Sequence, residues 1–119
     1  MALFYYHRFT NARRAFVDTY RQRLIEAFRA LIDQGVIEPL ASAATHGYLP
    51  LMDLHPQAVR AQIAIGLQAF EHAFGRPPAG FWLPECGYHT GHDAFLKEFG
   101  VRYVLTDAHG MVVWADGGG

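Results

Sequence analysis

The sequence predicts an α/β fold in which parallel strands alternate with helices. Two kinds of segment support this: long stretches whose apolar residues recur at helical spacing, and short apolar runs between them. With 51% hydrophobic and 18% charged residues among 119, the composition is typical of a folded chain rather than a disordered one. Strands separated by helices pair in parallel through right-handed crossovers, so their carboxyl ends should share one edge of the sheet.

The first predicted helix spans about residues 11–34. Its apolar stripe consists of Phe16, Tyr20, Leu24, Phe28 and Leu31. Gly35 follows and supplies the left-handed residue that commonly ends a helix. Residues 36–41 then predict a short strand, in which Pro39 cannot donate a ladder hydrogen bond and indicates an irregular position.

The second predicted helix begins at Pro56, because proline suits the first helical position. Its apolar stripe consists of Val59, Ile63, Leu67, Phe70 and Phe74. Gly75 ends the helix, and the prolines after it prevent any continuation. Residues 80–83 predict the second strand.

A third helix is predicted over about residues 93–99, with Gly100 at its end. Residues 101–105 form an apolar run, interrupted by Arg102, that predicts the third strand. Residues 111–114 predict a fourth. The resulting order alternates helix and strand along the whole chain.

Charge and cysteine content exclude several classes of function. The net charge of −1 and the pI near 6.6 argue against nucleic acid or an anionic membrane as a partner, because both attract basic surfaces. The single Cys86 excludes an intrachain disulfide and a multi-cysteine zinc site. No apolar run approaches the ~20 residues that span a bilayer, and no signal peptide is recognisable, so a cytoplasmic location is expected.

Polar residues beside a glycine follow each of the first three predicted strands, at residues 44–48, 84–88 and 106–110. Ligand sites of parallel sheets gather just past the carboxyl ends of the strands. Glu85 is the strongest candidate for chemistry, since it directly follows a strand and has no basic neighbour in sequence. Its alternative role is that of an ordinary loop carboxylate, solvated or in a salt bridge.

Three aromatic residues accompany these strand ends: Tyr48, Trp82 and Tyr88. Flat rings of this kind stack against sugars, although packing inside the fold is the alternative for each of them. Cys86 is expected to be an inert thiol, because the carboxylate next to it disfavours the thiolate form.

His46 and His109 follow the first and third strands, where they could bind substrate hydroxyls or a metal ion. With Asp107 they could supply the three ligands that a metal site needs. The HExxH pattern is absent and Cys86 adds no second thiolate, so no catalytic metal is expected. Phosphate-binding glycine loops are absent as well.

These strand-end motifs resemble those of glycoside hydrolase family 57, in particular its 1,4-α-glucan branching-enzyme branch. Residues 44–50, ATHGYLP, look like the family's second sequence region, and residues 82–88, WLPECGY, look like its third. The segments AVRAQI at 58–63 and FGRPP at 74–78 are also similar. The resemblance extends over about residues 5–110.

The resemblance implies part of a (β/α)7 barrel and a retaining mechanism on an α-1,4-glucan, without metal or organic cofactor. At the matching position Glu85 would be the catalytic nucleophile, and His46 would line the adjoining subsite. Asp107 and His109 match a later strand-end motif. The expected substrate-binding residues are therefore His46, Tyr48, Trp82, Cys86, Tyr88, Asp107 and His109.

The sequence also departs from the family pattern. The opening His-Gln-Pro region and the region with the acid/base Asp have no match, and His89 and Thr90 replace the usual aromatic and proline. We therefore expect residues 1–119 to be a fragment of the catalytic barrel that is inactive alone, with a companion chain as one way to complete it.

The sequence is also compatible with three other functions. The parent could be a family 57 amylase or glucanotransferase, because the strand-end motifs do not fix the acceptor. The chain could also be a non-catalytic carbohydrate-binding remnant, which the unmatched acid/base region favours. A metal-dependent polysaccharide deacetylase on a related barrel is the remaining alternative.

Overall fold

The structure is a computed structural model that describes residues 1–107 of the chain. The chain divides into two compact units, Met1–Glu38 and a second unit that starts at Pro39. The first unit is helical, and the sheet belongs entirely to the second. Among the described residues, no helix combines the length and the apolar content that crossing a membrane requires.

The first unit contains two helices where the sequence predicted one. Helix α1 spans Ala2–Arg14 and continues into a π-helical turn at Ala15–Thr19, and helix α2 spans Leu24–Asp33. The prediction of one continuous helix over residues 11–34 is therefore wrong. The apolar residues recur at helical spacing, but this spacing does not require that the helix is continuous.

The break between these helices has no glycine or proline to mark it. Arg21 and Gln22 take left-handed φ angles of 49° and 62°, and the Gln22 N–H donates to the Phe16 carbonyl at 2.8 Å. At the end of α2, by contrast, Gly35 has the predicted left-handed conformation with φ 71°. The Val36 N–H donates there to the carbonyl of Leu31 at 2.9 Å, which closes the helix end.

The second unit alternates strands and helices, as predicted. In chain order its elements are β1 (Ala41–Ser42), α3 (Pro56–Phe74), β2 (Gly80–Trp82), α4 (His92–Glu98) and β3 (Tyr103–Leu105). Two 3-10 turns follow the first two strands, at Leu49–Met52 and Pro84–Cys86. Helix α3 begins at Pro56 and ends before Gly75, whose φ is 72°, so both predicted boundaries are confirmed.

The three strands form one parallel sheet in the order β1-β2-β3. The predicted parallel pairing is confirmed, but the strand predicted over residues 36–41 is wrong for most of its length. Pairing starts only at Ala41, two residues after Pro39, because proline has no N–H for the ladder. The strand predicted over residues 111–114 lies outside the described residues.

The core of the second unit lies between the sheet and helix α3. Its buried apolar residues are Ala41, Ala43, Leu49, Val59, Ile63, Phe70, Phe81, Leu83 and Leu96. Three residues of the predicted α3 stripe, Val59, Ile63 and Phe70, are buried in this core. In the first unit, Phe16, Leu24 and Phe28 of the predicted stripe are exposed.

Candidate active site

The candidate site lies where the chain leaves β1 and β2. The register pairs Ser42 with Trp82, so the last residues of the two strands are level. The Ser42 hydroxyl donates to the Trp82 carbonyl oxygen at 2.9 Å, which fixes this alignment. The segments after the strands therefore start side by side, as the parallel topology requires.

His46 and Glu85, which lie on these two segments, are in contact. His46 Nε2 and Glu85 Oε1 are 3.3 Å apart, which is within hydrogen-bond reach. Both side chains are open to solvent, with 53% of the imidazole and 76% of the carboxylate side chain exposed. A substrate can therefore approach the pair without any rearrangement of the fold.

The backbone that carries Glu85 has an unusual conformation. Glu85 has φ 52° and ψ 28°, and Cys86 has φ 55°, so two consecutive non-glycine residues are left-handed. Each such residue costs about 1–2 kcal/mol relative to a right-handed one. His46 has the same property, with φ 55°. Strain of this kind is concentrated at functional sites.

Buried neighbours and turn hydrogen bonds hold the Glu85 turn in place. Leu83 and Pro84 are completely buried, so the chain before Glu85 is fixed in the core. The Cys86 N–H donates to the Leu83 carbonyl at 2.8 Å, and the Gly87 N–H donates to the Pro84 carbonyl at 3.0 Å. These contacts offset the local strain and keep the carboxylate at the surface.

Helix α3 positions the segment before His46 through Gln62. Gln62 Oε1 accepts the Thr45 N–H at 3.0 Å, and Gln62 Nε2 donates to Thr45 Oγ1 at 2.9 Å. The Gln62 backbone carbonyl accepts the N–H of Ala44 at 3.0 Å. Sequence reasoning missed this role, because the glutamine lies far from the motif in sequence and on a helix.

The Tyr48 ring, on the segment after β1, packs against Gly87 on the segment after β2. A Cβ atom added at Gly87 would lie 2.3 Å from Tyr48 Cε2, so the ring occupies the space that any side chain at this position would need. Gly87, two residues after Glu85, thus leaves room for the Tyr48 ring, and a larger residue there would have to displace the ring. Both Tyr48 and Trp82 remain partly exposed, which leaves ring surface for a ligand.

The segment after β3 reaches the same turn. Thr106 Oγ1 donates to the Cys86 carbonyl at 3.0 Å. Asp107 follows directly and is exposed. His109, the other residue predicted here, lies outside the described residues.

Tyr88 has a partner that the sequence did not suggest. Its hydroxyl donates to Asp93 Oδ1 at 2.9 Å and so connects the Glu85 segment to the first turn of α4. This hydrogen bond lowers the pKa of Asp93 below its usual range, because it stabilises the ionised carboxylate. The Gly91 N–H, at 3.2 Å from the same oxygen, acts in the same direction.

The arrangement has a defined chemical capability. An exposed carboxylate on a rigid turn can attack an electrophilic carbon, and an imidazole at 3.3 Å can orient that carboxylate or bind a hydroxyl group beside it. The residues that the structure brings into this neighbourhood are His46, Tyr48, Glu85, Cys86 and Thr106.

Comparison with known proteins gives consistent results. The sequence profile of glycosyl hydrolase family 57 matches residues 4–116. A 1,4-alpha-glucan branching enzyme of Thermococcus kodakarensis is 43% identical over 100 residues, in an alignment that covers 71% of this chain and 15% of the relative. The crystal structure of that enzyme, in complex with glucose, superposes with a TM-score of 0.68 at 41% identity, covering 75% of this chain and 19% of that one.

A second crystal structure, the α-amylase AmyC of Thermotoga maritima, superposes with a TM-score of 0.79 at 35% identity. The superposition covers 91% of this chain and 21% of the amylase chain. The chain thus spans about a fifth or less of the length of these relatives. Its parallel sheet and helices correspond to part of their (β/α)7 barrel. With the profile match over nearly its whole length, the chain belongs to glycosyl hydrolase family 57.

Proposed function

We propose that this chain carries the catalytic nucleophile, Glu85, of a retaining enzyme that acts on α-1,4-glucans. The observation that carries the proposal is the 3.3 Å contact between His46 Nε2 and Glu85 Oε1 at adjacent strand ends. The fold supports the proposal as well, because His46 and Glu85 lie past the carboxyl ends of parallel strands, where ligand sites gather. The exposed rings of Tyr48 and Trp82 support a sugar as the ligand.

In the proposed reaction, a Glu85 oxygen attacks the anomeric carbon and the glycosidic bond breaks. The product is a glycosyl-enzyme ester, and the departing oxygen must take up a proton from a second carboxyl group about 5–5.5 Å from the first. The imidazole of His46 contacts Oε1, which leaves Oε2 as the oxygen that attacks. In the second step, the second carboxylate takes the proton of an acceptor hydroxyl, whose oxygen displaces Glu85 from the sugar.

The identity of the acceptor determines whether the reaction is branching or hydrolysis. Transfer to the 6-hydroxyl of another glucan would form an α-1,6 branch, whereas transfer to water would be hydrolysis. We propose branching as the reaction of the parent enzyme, supported by the 43% identity to a 1,4-alpha-glucan branching enzyme. Hydrolysis is the second candidate, because the α-amylase superposes over 91% of this chain, more than the branching enzyme does.

We further propose that residues 1–119 are one portion of the catalytic barrel and that the acid/base carboxylate is supplied by another portion. No Asp in this sequence matches the family's acid/base region. Asp107 follows the third strand and is assigned to substrate contact rather than to proton transfer.

Binding of a maltooligosaccharide, followed by amide NMR shifts, tests the substrate class. The expected shifts are concentrated at residues 44–48 and 82–88, and they are reduced in Tyr48→Ala. Cellooligosaccharides, which have β linkages, serve as the ligand control and should cause smaller shifts. Equal responses to both sugars, or shifts confined to other residues, would contradict the proposal.

A further inference from the structure

Three side chains with metal-binding atoms converge outside the candidate active site: Asp53, His89 and His92. Asp53 follows the 3-10 turn Leu49–Met52. His89 lies just before helix α4, and His92 is the first residue of that helix. Asp53 Oδ1 is 2.6 Å from His92 Nε2, and Asp53 Oδ2 is 2.7 Å from His89 Nδ1. One ligand atom from each of the three lies within 4.8 Å of the others.

The surroundings of the cluster are closed on one side and open on the other. The His92 side chain is only 3% exposed, and that of Asp53 is 28% exposed. The His89 side chain is 61% exposed, so solvent reaches the cluster from its side. A site of this form supplies three protein ligands and leaves a position for water.

We propose that Asp53, His89 and His92 bind a divalent transition-metal ion, specifically Zn²⁺. Two imidazoles and one carboxylate suit ions of intermediate softness, whereas Mg²⁺ and Ca²⁺ prefer all-oxygen sites. The single carboxylate neutralises only part of the ion's charge, so the open position takes water or an anion. This site is independent of the proposed function of Glu85.

Both ring nitrogens of His92 are hydrogen-bonded, so a metal ion must displace a ring proton and hydrogen bonds. The His89 backbone N–H donates to His92 Nδ1 at 3.3 Å, so without metal the ring proton resides on Nε2 and is donated to Asp53. Coordination through Nε2 requires this proton to move to Nδ1. The ion therefore displaces the 2.6 Å hydrogen bond between His92 and Asp53 as well as the longer and weaker bond from the His89 N–H.

A bound ion would connect the two segments of the active site. Asp53 lies on the segment that follows His46, and His89 lies on the segment that follows Glu85. Coordination by residues of both segments would restrain their separation. This site was not predicted from the sequence, because its ligands fall on two distant segments and match no common metal-binding spacing.

The test is metal titration of the complete chain, stripped with EDTA and free of any histidine tag. Co²⁺ replaces Zn²⁺ as the spectroscopic probe, since its visible absorption reports nitrogen and oxygen coordination, and calorimetry with Zn²⁺ gives the stoichiometry. We expect one ion per chain. His89→Gln should weaken binding at least tenfold, because even second-shell changes at metal sites cost about 10–100-fold.

The choice of variants separates loss of a ligand from loss of folding. His89 is exposed, so His89→Gln removes a ligand without leaving a buried cavity, and circular dichroism checks its helices. Asp53→Asn should weaken binding in the same way. His72→Gln, at an exposed histidine in the last turn of α3, is the matched control and should bind like the wild type. No stoichiometric binding, unchanged binding in His89→Gln, or loss of binding in His46→Gln instead would overturn the proposal.

Discussion

The carboxylate of Glu85 depends on a backbone conformation that favours glycine. With φ 52° at Glu85 and 55° at Cys86, the turn pays a local cost to hold a charged side chain at the strand end. The sequence motif predicted that Glu85 is the candidate residue and that it lies at the carboxyl end of the second strand. It could not predict the left-handed conformation, because no glycine occupies either position. The contact with His46 likewise arises only when the two segments are folded side by side.

Replacing Glu85 by two small residues measures this strain. Glu85→Gly should be more stable than Glu85→Ala by about 1 kcal/mol, because alanine retains the Cβ atom that disfavours a left-handed conformation. Urea unfolding of the two variants gives the difference directly, and both lack the carboxylate, so that effect cancels. An alanine variant at least as stable as the glycine variant would show that the turn is unstrained.

Tyr88→Phe tests the hydrogen bond to Asp93. The variant should raise the pKa of Asp93 toward the usual value for aspartate, about 3.9, because the hydroxyl that stabilises the carboxylate is gone. The folded-state pKa is lowered, so this bond stabilises the fold above the unfolded-state pKa and is lost as the pH falls through the folded-state pKa. NMR titration of the carboxyl carbon measures the value. An unchanged pKa in the variant would assign the shift to the backbone donors instead.

At the scale of elements, the well-predicted helices have clear boundaries. Helix α3 has a proline at its start, a glycine after its end and a buried stripe between them, and α4 is closed by Gly100 with φ 77°. The first predicted helix lacked such marks at its internal break. Strand β1 was misplaced because its two residues are too few to give a pattern of their own.

Helix α3 also packs unusually close to β1. A Cβ atom at Gly66 would lie 2.0 Å from the Ser42 carbonyl oxygen, a backbone atom that cannot rotate away. The segment after β1 that carries His46 is bound to the same helix by Gln62. This close approach therefore fixes the distance between helix α3 and the segment that carries His46.

Gly66→Ala should destabilise the protein despite the higher helix propensity of alanine. The propensity gain is about 1 kcal/mol, whereas overpacking costs about 1–3 kcal/mol or more, and here the clash is with backbone. Thermal unfolding should show a lower Tm. Gln68→Ala, at an exposed position of the same helix, is the control and should change stability by no more than about 0.5 kcal/mol. A higher Tm for Gly66→Ala would contradict the packing described here.

At the scale of the whole molecule, alternation of helices and strands predicted the parallel sheet and the common edge of the candidate site. The barrel itself could not be derived from three short strands, and it was predicted from the family resemblance alone. Apolar side chains on β3, Tyr103 and Leu105, are partly exposed, as are several in the first unit.

The isolated chain should have no measurable branching or hydrolytic activity on amylose. If another portion of the barrel supplies the acid/base carboxylate, as proposed, the leaving oxygen stays unprotonated in this chain, and that alone costs about 10²–10⁴-fold in rate. Assays for new α-1,6 linkages and for reducing ends measure the two activities, with Glu85→Gln as the control. Turnover in the wild type that disappears in the control would mean that the chain supplies its own acid, with Asp107 as the first residue to test.

Covalent trapping with a fluorinated α-glycosyl fluoride tests the central claim, that Glu85 is the nucleophile. Fluoride leaves without protonation, so the Glu85 carboxylate can displace it and form the ester without a general acid. A ring fluorine slows breakdown of that ester enough for mass spectrometry. We expect one sugar added per chain, located by peptide mapping on Glu85 and absent from Glu85→Gln. No addition, addition to Asp107, or equal addition to the variant would contradict it.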